Sequence, residues 1–215
     1  MLLTEKQLLQ AEPHEWLGDW HPLAEQLGSA EGLLTLASVS ESLRVPTVTD
    51  FDSLRQFLQQ YHCQILVPHE LPAIQRAFDH SCRNEVRELI QLDKELQNET
   101  ALHFFSEASA RVGRTQLQKL RPLRDQRIVQ RYLTAVETNE ARGWHTLVYG
   151  LTLTIYSLPL RQGLLGYARQ TTHSFIHSAV RGMSVTEKDC RALLEQLCAP
   201  LPAALESLLI KRTAA

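Results

Sequence analysis

Apolar residues recur along most of this chain at steps of three and four, the period of a helix with one buried face. The cleanest stripe is Phe51, Leu54, Leu58, Tyr61 and Ile65. Thr49 is its candidate N-cap, with Asp50 and Asp52 in a first turn where the helix dipole favours anions. Pro68 is expected to stop this helix and Pro72 to open the next, whose inward face is Ile74, Ala77 and Phe78. Asn84–Leu96 buries Val86, Leu89, Ile90 and Leu92. Ala101–Leu120 offers Phe104, Phe105, Ala108, Val112 and Leu117 to the core and ends before Pro122. Ile128–Asn139 is amphipathic through Ile128, Val129, Tyr132, Leu133 and Val136.

Trp144–Tyr156 breaks the pattern, because it is apolar nearly all round. That predicts a helix buried on most sides, at the centre of the fold. Pro159 opens a further helix through Leu160, Leu164, Leu165 and Tyr167 to Val180. Thr186 caps Glu187–Leu197, and Pro200 and Pro202 introduce an amphipathic tail, Ala203–Arg212. Before residue 45 the pattern is weaker. Leu2–Gln10, Leu23–Leu27 and Gly32–Val39 read as short helices, Ala11–Pro22 as loop, and Arg44–Val48 as extended, since Pro46 biases Val45 away from the helical region.

Composition settles the class. The 215 residues include 37 Leu and 19 Ala against 11 Val and 7 Ile, a balance that favours helices over strands. Gly and Pro, 9 of each, are too few for the many turns of a sandwich or barrel. The expectation is an all-α fold: one compact bundle domain of about eight to ten helices. Its parts are an N-terminal helical segment (1–44), a helical core (45–198) and a C-terminal tail (199–215).

A net charge of −2 gives no long-range pull toward nucleic acid or acidic lipid. No window approaches 18 uncharged apolar residues, and the N-terminus lacks a basic stretch followed by a long apolar one. A cytoplasmic protein that engages neither membrane nor nucleic acid is expected. Cys63, Cys82, Cys190 and Cys198 form no C-x-x-C pair, which argues against a zinc ribbon or thioredoxin-type site.

Candidate chemistry is sparse. His173 and His177, spaced i, i+4, place two imidazoles on one helix face, a spacing used by metal-binding helices; Ser174 stands where a zinc protease has Glu. Two partly exposed histidines on an amphipathic helix give the same pattern. His62, Cys63, His69, His80 and Cys82 fall near helix ends, without a spacing that makes them converge. A basic run comprises Arg111, Arg114, Lys119, Arg121, Arg124, Arg127 and Arg131, opposed within it by Asp125 alone. It reads as a docking surface for an acidic partner or for nucleic acid, the latter weakened by the lack of interleaved aromatics before Tyr132, or as a solvated face paired with Glu137 and Glu140. No P-loop, G-x-G-x-x-G or G-x-S-x-G motif occurs, so no cofactor is expected and no enzyme is suggested.

Several segments in order carry a resemblance. They are Ala108-Ser109-Ala110-Arg111-Val112-Gly113-Arg114, Leu147-Val148-Tyr149-Gly150, Leu158-Pro159-Leu160, Tyr167 and Ser178-Ala179-Val180-Arg181. Val48-Thr49-Asp50 with Ser53-Leu54, and Leu71-Pro72-Ala73, precede them. Over roughly residues 45–198 the chain resembles the urease accessory family UreF. The N-terminus departs from that family: its Gly- and Ser-rich signature is reduced here to Gly28-Ser29 and Gly32-Leu33.

The resemblance implies a non-enzymatic, all-α, homodimeric scaffold or chaperone. It would bind a UreD/UreH-like protein and a UreG-like GTPase to pass nickel to the urease apoprotein. It also implies partner-binding roles for Tyr149, Gly150, Ser178, Arg181, Arg111 and Arg114, and a tail that contacts the UreD-like partner. The tail's apolar stripe, Leu205, Leu208, Leu209 and Ile210, has the period of a partner-binding helix or of ordinary packing on its own core. The alternative is a divergent UreF-like interaction module outside urease maturation.

Overall fold

The computed structural model describes residues 40, 41, 43–180 and 183–213; the short helices expected before residue 40 lie outside that range. Helix α1 (Phe51–Tyr61) begins at Asp50, one residue later than expected. The Asp50 carboxylate accepts from the Ser53 N–H at 2.8 Å, and the Ser53 hydroxyl oxygen accepts from the Asp50 N–H at 3.0 Å, a reciprocal capping box.

Pro68 does not end this helix. The chain runs on through a π-helical segment, His62–Glu70, straight into α2 (Leu71–Cys82). In i→i+5 bonding the Leu71 N–H reaches back to the Leu66 carbonyl. The wider winding changes which side chains share a face. At about 100° per residue an α-helix would set Tyr61 and Glu70, nine positions apart, on opposite sides. Here both point inward, and the Tyr61 hydroxyl donates to Glu70 Oε2 at 2.6 Å.

Next come α3 (Val86–Gln97), a 3₁₀ segment (Thr100–Phe105), α4 (Ser106–Lys119) and α5 (Arg127–Glu137). They are followed by α6 (His145–Ile155), α7 (Leu160–Ala179), α8 (Glu187–Cys198) and α9 (Leu201–Thr213). The 3₁₀ segment accounts for a misplaced core residue: Phe104 is 45% exposed instead of packed inward. The described residues are all helical without strands. Where segments are contiguous the helices run on into one another, as α1, the π-helical segment and α2 do.

α6 lies at the centre, as its all-round apolar sequence predicts, with every residue from His145 to Leu153 buried. It packs most heavily on α2 and then on α4. Two glycines permit these approaches. A Cβ on Gly150 would stand 2.5 Å from the Ile74 carbonyl oxygen of α2, and one on Gly113 of α4 would stand 2.0 Å from the Gly143 carbonyl oxygen.

Asp93 of α3 fixes the entry to α6. It is fully buried and accepts from the Tyr132 hydroxyl at 2.6 Å and from the N–H groups of Arg142 and Gly143 at 2.6 and 2.9 Å. α8 is capped by Thr186 as expected, in a second capping box with Asp189. One stretch among the described residues, Glu187–Ile210, has the length and apolar composition of a membrane span. It is interrupted by a turn at Ala199 and Pro200, and its leucines 193, 194, 197, 201 and 205 are buried in the common core.

Candidate functional site

Three features collect the polar chemistry. The first is a sealed network between the π-helical segment, α1, α4, α6 and α7. Glu70 is buried and receives the Tyr61 hydroxyl at 2.6 Å and the Tyr167 hydroxyl at 3.2 Å. His145 Nε2 meets the Tyr167 oxygen at 2.7 Å, and the Ser109 hydroxyl sits 2.6 Å from His145 Nδ1. Both tyrosines donate to the carboxylate, and the His145 ring bridges the Ser109 and Tyr167 hydroxyls, its tautomer setting the direction of those two bonds. Burial, reinforced by the Glu70 charge, holds the Tyr61 and Tyr167 hydroxyls well above the ordinary phenol range, so both remain donors.

His62, the first residue of the π-helical segment, joins that segment to α7. The Thr172 hydroxyl donates to the Ala168 carbonyl, so His62 Nε2–H donates to the Thr172 oxygen at 2.8 Å. Burial lowers the His62 pKa to about 4, against a smaller upward pull from the Glu70 charge. With scarcely any exposed surface, these groups can hold helices in register and can store or exclude protons. They offer no atom to a substrate arriving from solvent. The sequence pattern did not reveal Glu70, His145 or Ser109 as a set; only a buried acid inside an apolar stripe hints at it.

The second feature is a groove of about 710 Å³ between α7 and α8. His173 and His177 line it, exposed, with ring centroids 6.1 Å apart and planes nearly parallel. Ile176, Leu194 and Cys190 also line it, and the Arg169–Glu195 ion pair stands at 2.5 Å. Among the described residues no three His, Cys, Asp or Glu side chains come together as metal ligands. The other candidates scatter. His80 pairs with Glu85 at 2.8 Å, His69 lies 3.8 Å from Glu99, and Cys63 and Cys82 are exposed thiols far along the chain from one another.

The third feature is the exterior of α4, α5 and α9. Arg111 and Arg114 are exposed on α4, and Arg114 Nε donates to the Arg142 carbonyl at 3.0 Å. Leu208 and Leu209 of α9 are half-buried, while Leu205 is wholly buried in the core. Two residues expected at a partner surface are interior instead. Tyr149 is 0% exposed, its hydroxyl donating to the Gly163 carbonyl at 3.0 Å, and Gly150 is pressed against α2. Tyr149, Gly150 and Leu205 therefore pack between helices in this chain. The Ser178 side chain and Arg181 lie outside the described residues.

Fold and site together define an all-helical protein with its polar network locked in the core and its charged and apolar features turned outward. A model of the UreF family matches residues 48–198, from just before α1 to the end of α8. The chain belongs to the UreF family, a family of urease accessory proteins and not of enzymes. No curated protein matches the chain.

Proposed function

We propose that this protein is a urease accessory scaffold. It binds a UreD/UreH-like protein and a UreG-like GTPase as a cytoplasmic homodimer and so assists nickel insertion into the urease apoprotein. The family match over residues 48–198 carries this reading, because it spans nearly every helix that contributes to the common core. The core supplies rigidity; recognition falls to exposed or half-buried positions such as Arg111, Arg114, Leu208 and Leu209. His173 and His177, open to the groove, are the positions at which a nickel ion in transit would meet imidazole.

The test is genetic and biochemical. Deleting the gene from a urease-producing host is expected to leave urease protein at normal abundance but nickel-poor and inactive. Tagged protein is expected to co-purify with the UreD/UreH-like protein and the GTPase. Full urease activity in the deletion strain, with neither protein recovered, would overturn the reading. It would favour the interaction module outside urease maturation, to which the reduced N-terminal signature around Gly28 and Gly32 lends support.

A further inference from the structure

Charge is strongly segregated in this chain. Residues 111–131 hold seven cations against one carboxylate, a net +6, which leaves −8 for the remainder of a chain whose total is −2. All seven cations are exposed. The structure neutralises few of them. Arg121 pairs with Glu137, and Arg114 is occupied by the Arg142 carbonyl. The side chains of Lys119, Arg124, Arg127 and Arg131 make no hydrogen bond or ion pair among the described residues.

These four sit on a braced platform. Gln130 of α5 donates through Nε2 to the carbonyls of Arg121 and Leu123, at 3.1 and 3.0 Å. That ties the turn after α4 to the first two turns of α5. Backbone bonds from Leu123 to Leu120 and from Gln126 to Leu123 close the turn itself. Arg124 stands in this closed turn, three residues before Arg127, and Arg127 and Arg131 are spaced i, i+4 on the exposed face of α5. No acidic side chain occupies the first turn of α5, and the Gln126 side chain bonds Asp125 at 3.1 Å instead of capping the helix, so the positive end of the helix dipole adds to the same field. Leaving like charges this close together has a cost in an isolated protein, which a complementary surface removes.

We propose that the turn between α4 and α5, with the outer face of α5, docks a surface of a partner protein rich in Asp and Glu, with Lys119, Arg124, Arg127 and Arg131 making the contact. The inference rests on the accessory-scaffold reading and deepens it by assigning one face to one kind of partner. A protein partner is favoured over single-stranded nucleic acid because no aromatic residue lies between Arg111 and Arg131 for bases to stack on. Contacts of this kind act mainly on the association rate and make it salt-dependent.

The experiment uses the full chain with the purified UreD/UreH-like protein and the purified UreG-like GTPase, measuring association and dissociation rates at low and high salt. Arg124→Glu with Arg127→Glu is compared with Arg87→Glu with Lys188→Glu, a pair of exposed cations elsewhere that changes the net charge equally. Thermal melting confirms that both variants fold. The expected result is an association rate about 10-fold lower for the first variant with at least one partner. The control and the dissociation rates should be little changed, and the difference should shrink at high salt. Equal rates for the two variants, or an equal loss in both, overturns the inference while leaving the scaffold reading intact. Tighter binding to a random-sequence 20-base-pair DNA duplex than to either protein overturns it in favour of nucleic acid. Failure of the unmodified chain to bind either protein overturns the scaffold reading, and the inference with it.

Discussion

Three buried residues show how much a single side chain governs here. Asp93 gathers the Tyr132 hydroxyl and the N–H groups of Arg142, Gly143 and, at 3.4 Å, Trp144 at the mouth of α6. Asp93→Ala leaves those donors buried and unpaired, a loss on the order of 3–5 kcal/mol. Asp93→Asn, which keeps one acceptor oxygen, should lose less; urea unfolding of both variants checks the order. Gly150→Ala forces a Cβ to within 2.5 Å of a main-chain oxygen that cannot swing away. Its unfolding free energy should fall by about 1–3 kcal/mol, through overpacking.

His62 predicts a pH dependence. Its pKa is lowered to about 4 in the fold by burial, against an ordinary value of 6.5. Below pH 6.5 the unfolded chain takes up a proton that the folded chain refuses, so stability falls as pH drops toward 4. The change between pH 7 and pH 5 should be about 2 kcal/mol. Replacing the imidazole in His62→Gln should remove that component of the pH slope in urea titrations.

At the scale of elements, the Glu70 network binds α1, the π-helical segment and α7 into one unit. Tyr61→Phe and Tyr167→Phe each remove a donor to the same carboxylate and should each destabilise by about 1–3 kcal/mol. Because they share Glu70, the double variant should depart from additivity by about 0.5–3 kcal/mol, measured as a double-mutant cycle.

What periodicity can and cannot announce is also clearest at this scale. The all-round apolar run of α6, the stripes of α1 and α5 and the Thr186 cap were all legible, since each is a local pattern with a local cause. Pro68 misled, because an interior proline usually breaks an α-helix, whereas here i→i+5 winding carries the chain past it. Glu70 and Asp93 escaped notice, because acids belong at the surface unless satisfied. Their satisfaction comes from residues 97, 39 and 49–51 positions away, or from a neighbour nine positions off that an α-helix would turn aside. Tyr149 and Gly150, marked by the resemblance as partner-binding, are packed against α7 and α2, contacts that no local pattern announces.

For the whole molecule, the division between core and exterior separates stability from recognition on a single helix, α9. Leu205 is wholly buried and Ile210 is 66% exposed. Leu205→Ala should cost about 2–5 kcal/mol of folding free energy. Ile210→Asp should leave stability within about 0.5 kcal/mol and weaken co-purification of the accessory partners, a contrast that melting curves beside pull-downs can read. The π-helical segment has a comparable reach. For nine residues the chain counts by a longer stride, and everything after it is dialled to a new angle. Removing a single residue between His62 and Glu70 would therefore act less like a local trim than like a gear slipping one tooth. The whole of α2 would rotate about its axis, and the groove that admits Gly150 would face away from the helix it was shaped to receive.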